Sequence, residues 1–495
     1  LNEFVGKKKN ETAMSDIFDG DTGLAKWRRF YGSSLSFPPM NERPLFRWER
    51  IATFALVPLF LGFGILTLIR SAYDPENRKT DFGVYARAAW AVRTNHDLYS
   101  SADDNRWHYV YPPPFVLMFL PLADPPAGAD RAGYLPYPVG VVIWYFINLA
   151  LLAFSLHTFA QTVLPDARRF SARWWYARLV PFDICIASVG FTLSRGQANL
   201  LVVALIAGMF SAAMRNRRFA SGLWLAGACC LKIFPGLLLL FPFVRRDWRA
   251  FLGVIVGSIV LLGVLPSLAF GPKGAVRETE RFLKFVAAPG LFPPEDFTEE
   301  DNALVKALAQ ELHDMTAKQS QSFMGILHYT RYQTEADGPR PAKADADVKM
   351  IHFAISGMMV LAMWGAAEWA RRKGSLTPAE WLVILGNFST AMLLIVPMSH
   401  MHYYCMMLPH VAGLWLYSMS RRPADSFVDR KMLTILIAWG VANTLPLFPY
   451  CNVLGEYGVA TWTTLALWIY SVVLTVRFGC VPRAHSDTDS RTSPP

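Results

Sequence analysis

The chemistry of this sequence begins at Asp81, in the run Asp81-Phe82-Gly83-Val84-Tyr85, just past the apolar stretch Ile51 to Ile69. A carboxylate at a membrane–water boundary is costly to keep there, which makes it a functional candidate. It can take a proton from a hydroxyl. It can also cap the helix that follows it. The two readings are compatible, because a cap position orients the carboxylate. Phe82, Tyr85, Ala89 and Val92 fall on one helical face, which predicts a helix lying flat on the membrane.

Four other clusters have side chains suited to binding. Lys232, in Cys230-Leu231-Lys232-Ile233-Phe234-Pro235, sits inside the apolar run 221–243, too deep to snorkel to water. It calls for an anionic phosphate or an internal ion-pair partner. Arg195-Gly196-Gln197-Ala198-Asn199 lies between two apolar runs, and its amides suit either sugar hydroxyls or helix–helix hydrogen bonds. Tyr111-Pro112-Pro113-Pro114 reads as a fixed helix start. Pro397-Met398-Ser399-His400-Met401-His402-Tyr403-Tyr404 brings two imidazoles that can hydrogen-bond a phosphate or a hydroxyl. His400 and His402 have no third ligand at a convincing spacing, so no metal is expected.

Other signals are absent. There is no phosphate-binding lysine loop, and Gly62-Phe63-Gly64 sits inside a span, where it serves packing. Asp103-Asp104 looks superficially like a metal-holding pair for nucleotide sugars, but with Asn105 and Arg106 it reads as a solvated loop. No cofactor is expected.

These residues are set in a chain of 495 residues, 53% hydrophobic and only 17% charged. An ordinary soluble domain is roughly 25% charged. The apolar residues are bunched into runs approaching the roughly 20 residues that cross a hydrocarbon core. A β-barrel would alternate in polarity instead. The fold class is therefore an all-α polytopic membrane protein. The net charge of +10 falls in short clusters at the ends of apolar runs, such as Arg215/Arg217/Arg218 and Arg371/Arg372/Lys373, which marks loops facing lipid headgroups rather than a nucleic-acid surface. The cysteines form no C-x-x-C pair and read as buried hydrophobes.

About twelve candidate spans follow from apolar run length: 51–70, 109–123, 138–160, 177–193, 196–214, 221–243, 251–270, 350–370, 379–397, 403–420, 431–449 and 456–477. Residues 1–46 read as a cytoplasmic polar tail, 47–480 as the membrane domain and 481–495 as a second polar tail. Loops 71–108, with its juxtamembrane helix, and 271–349, with a helical stretch at 299–313, are expected outside. The clusters at 245–249, 371–373 and 421–422 then fall inside, as the positive-inside rule requires. Arg168, Arg169, Arg173, Arg178 and Arg215 to Arg218 disobey it by landing outside.

Taken in order, Asp81-Phe82-x-Val84-Tyr85, Leu98-Tyr99, Tyr111-Pro112-Pro113, Gly196-Gln197-x-Asn199, Lys232-x-x-Pro235, Gln321-Ser322-x-x-Gly325 and Ser399-x-x-His402 resemble glycosyltransferase family 87 of the GT-C superfamily. That family includes polyprenol-phosphate-mannose-dependent α-1,2-mannosyltransferases. Two positions depart from its pattern: His400 stands where tryptophan is usual, and Tyr403 replaces the second histidine of a pair.

The resemblance implies an inverting, metal-independent hexosyltransferase of the cytoplasmic (inner) membrane, working on the extracytoplasmic face. Its donor would be a polyprenyl-phosphate sugar, mannose by family default, and its acceptor a hydroxyl of an envelope glycolipid or glycan. Asp81 would be the base. Lys232, His402 and Arg195 would hold the donor phosphate. Tyr85, Tyr111, Gln197, Asn199, Gln321, Ser322, Ser399 and His400 would line the substrates. A transporter or flippase of a lipid-linked sugar is the alternative. It would predict internal repeats, and none is seen.

Overall fold

The computed structural model describes residues 43–73, 80–288, 308, 315, 320–332, 341, 343–421, 429–448 and 450–478. The predicted helix at 299–313 lies outside them apart from Leu308, as do residues 1–42 and the tail 481–495. Among the described residues the chain is helical, with three isolated β-bridges and no strand. In chain order the helices are α1 Arg47–Leu68, α2 Asp81–Arg93, α3 Pro113–Leu117, α4 Tyr137–Val163, α5 Ala172–Ile184, α6 Ile186–Arg195, α7 Asn199–Met214, α8 Arg218–Leu231 and α9 Leu240–Val244. They continue as α10 Trp248–Ile259, α11 Leu265–Phe282, α12 Phe323–Arg331, α13 Ala346–Lys373, α14 Pro378–Ile395, α15 Leu408–Ser420, α16 Arg430–Thr444, α17 Asn452–Glu456 and α18 Val459–Val476.

Six helices are long and apolar enough to cross a membrane, or seven if α5 and α6, bent 69° at Cys185, count as one broken span. The expected twelve are not reached on this criterion; α7, α8 and the Phe234–Val244 segment are apolar but shorter. Helices that are apolar on every side belong in the interior. α14 and α15 are of this kind, buried along nearly their whole length. They cross so closely that a Cβ on Gly386 would fall 2.5 Å from the His410 Cα. α14 starts with a full capping box: the Glu380 amide donates to Thr377 Oγ1 at 3.3 Å and the Thr377 amide to Glu380 Oε2 at 2.8 Å. At the other extreme α1 is bare, with Phe54, Val57, Ile65 and Leu66 all exposed, as lipid-facing side chains should be.

Three expectations change. Residues 109–123 do not form a span. Pro112, Pro113, Pro114 and Pro121 leave only the five-residue α3 and one 3₁₀ turn at Leu120–Leu122. Tyr109, Tyr111, Phe115, Val116 and Phe119 are buried there as core. Second, α2 does not lie flat on the membrane. Phe82, Val84, Tyr85, Ala86, Ala88, Ala89 and Ala91 are all buried, so protein surrounds it on nearly every side. Its many alanines let neighbours approach where a surface helix would carry charge. Third, run 221–243 is two elements. α8 stops at Leu231 because Lys232 is extended (φ −143, ψ 145), and a 3₁₀ turn Phe234–Leu239 carrying Pro235 leads back.

Losing one span before residue 137 and gaining one at Lys232 moves the intervening loops to the opposite end of the molecule. The arginines that disobeyed the charge rule now join the others. Arg245 donates to the Ala213 carbonyl at 3.3 Å and lies over Trp381, and Arg218 is 3.9 Å from Asp247. Arg246 reaches Glu368, which also pairs with Arg371 and Arg372. Arg173 donates to the Met419 carbonyl at 3.3 Å. Arg43 and Pro44 dock here as well: Ala172 donates to the Arg43 carbonyl at 2.8 Å, and Arg43 pairs with Glu49. The basic clusters thus share one end of the bundle, and the sequence-predicted site residues gather at the other.

Candidate active site

Asp81 is the first residue of α2, not its cap. The cap position is Thr80 (φ −128, ψ 138), whose hydroxyl makes no capping bond and instead lies 3.2 Å from the Tyr137 hydroxyl. The carboxylate is therefore unused by the helix. Its Oδ2 is buried with no hydrogen-bond partner among the described residues. Burial pushes the Asp81 carboxyl above the usual range. Arg195 and Lys232, with a Gln197 hydrogen bond, act in the opposite direction, and Asp103 adds to the upward push.

One turn along α2, the buried Tyr85 hydroxyl donates to the Tyr111 hydroxyl at 2.9 Å, and Tyr111 donates to Gln197 Oε1 at 3.2 Å. Lys232 Nζ donates to the same Gln197 oxygen at 3.4 Å and to Asn199 Oδ1 at 2.6 Å. Asn199 Nδ2 donates to the His402 carbonyl at 2.9 Å, where Thr192 also donates at 2.7 Å. Six residues from five separate stretches of sequence form one chain of hydrogen bonds. Gly196 makes the corner possible. It ends α6 in the left-handed region (φ 63, ψ 32), where a glycine has no steric cost, so that Gln197 and Asn199 turn into the site.

Lys232 is 6% exposed, and its ammonium makes no ion pair among the described residues. Aromatic faces surround it: its Nζ lies 4.5 Å from the Tyr403 ring centre, 5.4 Å from Tyr111 and 5.7 Å from Phe234. Amide oxygens and ring faces stabilise a cation without cancelling its charge. Arg195, half-buried at the end of α6, likewise makes no hydrogen bond or ion pair among the described residues. The His402 ring is buried and stacks on His400 with centres 5.4 Å apart, and Tyr403 meets it edge-on at 4.6 Å.

Gln321 and Ser322 lie beside this network rather than in it. The Gln321 amide donates to the Ser399 carbonyl at 2.5 Å, and Ser320 bridges to His400. Gln321 Nε2 donates to the Gly455 carbonyl at 2.6 Å, and Ser322 caps α12 through the Gly325 amide at 3.0 Å. Both therefore hold the 320–325 segment against the histidine loop. Gln321 Oε1 and Ser399 Oγ are buried there without hydrogen-bond partners among the described residues.

The loop at Asp103-Asp104 is solvated at the exposed Asp104 and Arg106 but not at Asp103. Asp103 is buried and accepts from the Asn105 and Trp107 amides at 2.9 Å each, while Asp104 pairs with the buried Arg87 at 2.8 Å. Among the described residues no three His, Cys, Asp or Glu side chains cluster as metal ligands.

Sequence reading missed Tyr403, the ring nearest the Lys232 ammonium, and Thr192, which fixes the His402 backbone. Tyr403 carried a signal, because it stands where the resembled family has a histidine. Thr192 carried none.

A buried carboxylate with one unpartnered oxygen, near two cations that make no ion pair among the described residues, can deprotonate a hydroxyl and stabilise an anionic leaving group. The glycosyltransferase family 87 model matches residues 109–397. The chain belongs to glycosyltransferase family 87. The match starts after Asp81 and stops just before Ser399, so both ends of the site lie outside it. Two curated proteins named alpha-(1->3)-arabinofuranosyltransferase, from Mycobacterium tuberculosis strains CDC 1551 and H37Rv, are 25% identical over 186 residues. That match covers 37% of this chain and 40% of theirs, so the chain spans well under half the length of these relatives. No solved structure matches at a significant level. As a family 87 member with several membrane-length helices, the protein is a multi-pass membrane protein.

Proposed function

We propose that this family 87 protein transfers a sugar from a polyprenyl-phosphate donor to a hydroxyl of an envelope glycolipid or glycan, in a single inverting displacement. The observation that carries the reading is the unneutralised Lys232 ammonium at the same end of the bundle as the unpartnered Asp81 oxygen. A lipid-phosphate leaving group develops negative charge as the glycosidic bond breaks. Lys232, Arg195 and the His402 region supply fixed positive charge and donors to meet it. Asp81 takes the acceptor proton. Tyr85, Tyr111, Gln197 and Asn199 hold the lysine in place and offer hydroxyl and amide groups to the substrates. Gln321, Ser322, Ser399 and His400 form the opposite wall, where the free Gln321 and Ser399 oxygens suit acceptor hydroxyls.

The site faces the extracytoplasmic side of the cytoplasmic membrane in this reading. Its support is the collection of basic loops at the other end, which the positive-inside rule assigns to the cytoplasm.

Mannose is the family default for the sugar. Arabinofuranose is the second reading, favoured by the names of the two mycobacterial relatives. Purified protein in lipid nanodiscs, given polyprenyl-phosphate mannose or polyprenyl-phosphate arabinofuranose with a glycolipid extract, tests both. Release of polyprenyl phosphate coupled to a new glycolipid supports transfer and names the sugar. Translocation of intact donor in proteoliposomes, with no product from either donor, would establish the flippase instead.

A further inference from the structure

Asp183 stands apart from this site. It is the next-to-last residue of α5, two residues before the break at Cys185, eleven residues in from the basic end of the bundle. Its two neighbours are buried and face different helices. Phe182 packs on Phe60 of α1, with ring centres 5.4 Å apart, while the Ile184 carbonyl lies against Gly440 of α16. Asp183 itself is exposed between them, and its carboxylate makes no hydrogen bond or ion pair among the described residues. Phe60 sits at the middle of the membrane-length helix Arg47–Tyr73 and Gly440 lies ten residues in from the start of α16, so the carboxylate emerges near mid-bilayer depth. The surrounding surface is apolar: Ile186, Ile437 and Val441 are all exposed there.

We infer that the surface around Asp183, between α1 and α16, is a docking site for a transmembrane helix of another protein, one that presents a lysine or arginine to Asp183. A carboxylate facing hydrocarbon is costly, and such residues pair with one another or with cations when they persist. Asp183 has neither. A second copy of this chain could not supply the cation, because among the described residues no exposed lysine or arginine lies at that depth in any span. α1 is bare along most of its length and would form the other side of that docking surface. The inference is independent of the sugar chemistry, since Asp183 touches none of the site residues.

The test uses the full chain in phosphatidylcholine vesicles, with p-benzoylphenylalanine in place of Val441. The probes are leucine-rich peptides of about 23 residues, long enough to span, with a central lysine, leucine or aspartate. Photocapture of the lysine peptide should exceed that of the leucine peptide roughly tenfold, the strength of one interhelical polar contact in model systems. The aspartate peptide should be captured no better than the leucine one. Asp183→Asn should reduce lysine capture to the leucine level, and Asp183→Glu should keep the preference. Both variants should insert normally, because the position faces lipid. Equal capture of all three peptides overturns the inference, as does a lysine preference that survives in Asp183→Asn. In native membranes the captured segment should be apolar with a central lysine or arginine. A covalent species of twice the chain mass would instead make a second copy the occupant and overturn it.

Discussion

Lys232 Nζ lies 2.6 Å from Asn199 Oδ1, and none of its hydrogen-bond partners is a carboxylate. That separates two roles a buried lysine can have. An internal ion-pair partner would be neutralised. This one is held by amide oxygens and aromatic faces with its charge available to a ligand.

Lys232→Met should therefore abolish donor binding while leaving the protein folded. The change breaks no hydrogen bond to a carboxylate, and Asp81 keeps Arg195 as a nearby cation. The loss falls on Asn199 Oδ1, and an unsatisfied buried acceptor costs about 1–3 kcal/mol. Thermal unfolding and donor binding measured on the same purified variant check this. Intact donor binding with a loosened fold would make the lysine structural.

Asp81→Asn should lower turnover by about two to four orders of magnitude, the usual contribution of a general base. Folding should be unaffected, since Thr80 is the cap and the Asp81 carboxylate makes no capping bond. Steady-state transfer by the purified variant decides it. Turnover near that of the unmodified enzyme would remove Asp81 from the mechanism.

The pH profile carries a sign. Burial raises the Asp81 carboxyl above its ordinary value, so the proton is held to higher pH than in water. A base works only when deprotonated. Activity should rise with pH through that raised value and be lost below it, with the acid limb of kcat/KM above the ordinary carboxylate position of about 3.9. A limb at or below that position would contradict the geometry.

Tyr403 should act through its ring face. Its centre is 4.5 Å from the Lys232 ammonium. Tyr403→Phe keeps the face and should leave donor affinity nearly unchanged. Tyr403→Leu removes it and should weaken donor binding roughly tenfold, the scale of a desolvated cation–π contact. Donor titration of the two variants distinguishes ring from hydroxyl.

Single cysteines placed at Arg169, Arg217 and Arg249, in a background without native cysteines, should be labelled from one side of the membrane. Cysteines at Asp104 and Asp347 should be labelled from the other. Arg217 appearing with Asp104 would restore the span at 109–123 and break the shared basic end.

The sequence by itself determined the class of protein, because long apolar runs have no soluble solution and few membrane ones. It also marked Asp81, Lys232 and Gln197 as out of place, since each is a polar group where burial is costly. Their order along the chain carried the family resemblance. It could not determine which apolar runs cross. Tyr109 to Phe119 and α2 are as apolar as spans or surface helices, yet both are buried in protein, and hydrophobicity does not say whether lipid or protein does the covering. The choice was made by prolines that end helices early and by the extended backbone at Lys232, and these also decided on which end each arginine cluster falls.

The tertiary structure alone decided how the site is joined. Tyr85, Tyr111, Gln197, Lys232, Asn199 and His402 are distant in sequence, and hydrogen bonds between distant residues leave no local pattern to read. Thr192 and Tyr403 belong to that set for the same reason. Whether Lys232 keeps its charge also depended on what surrounds it, which is a property of packing and not of position in the sequence.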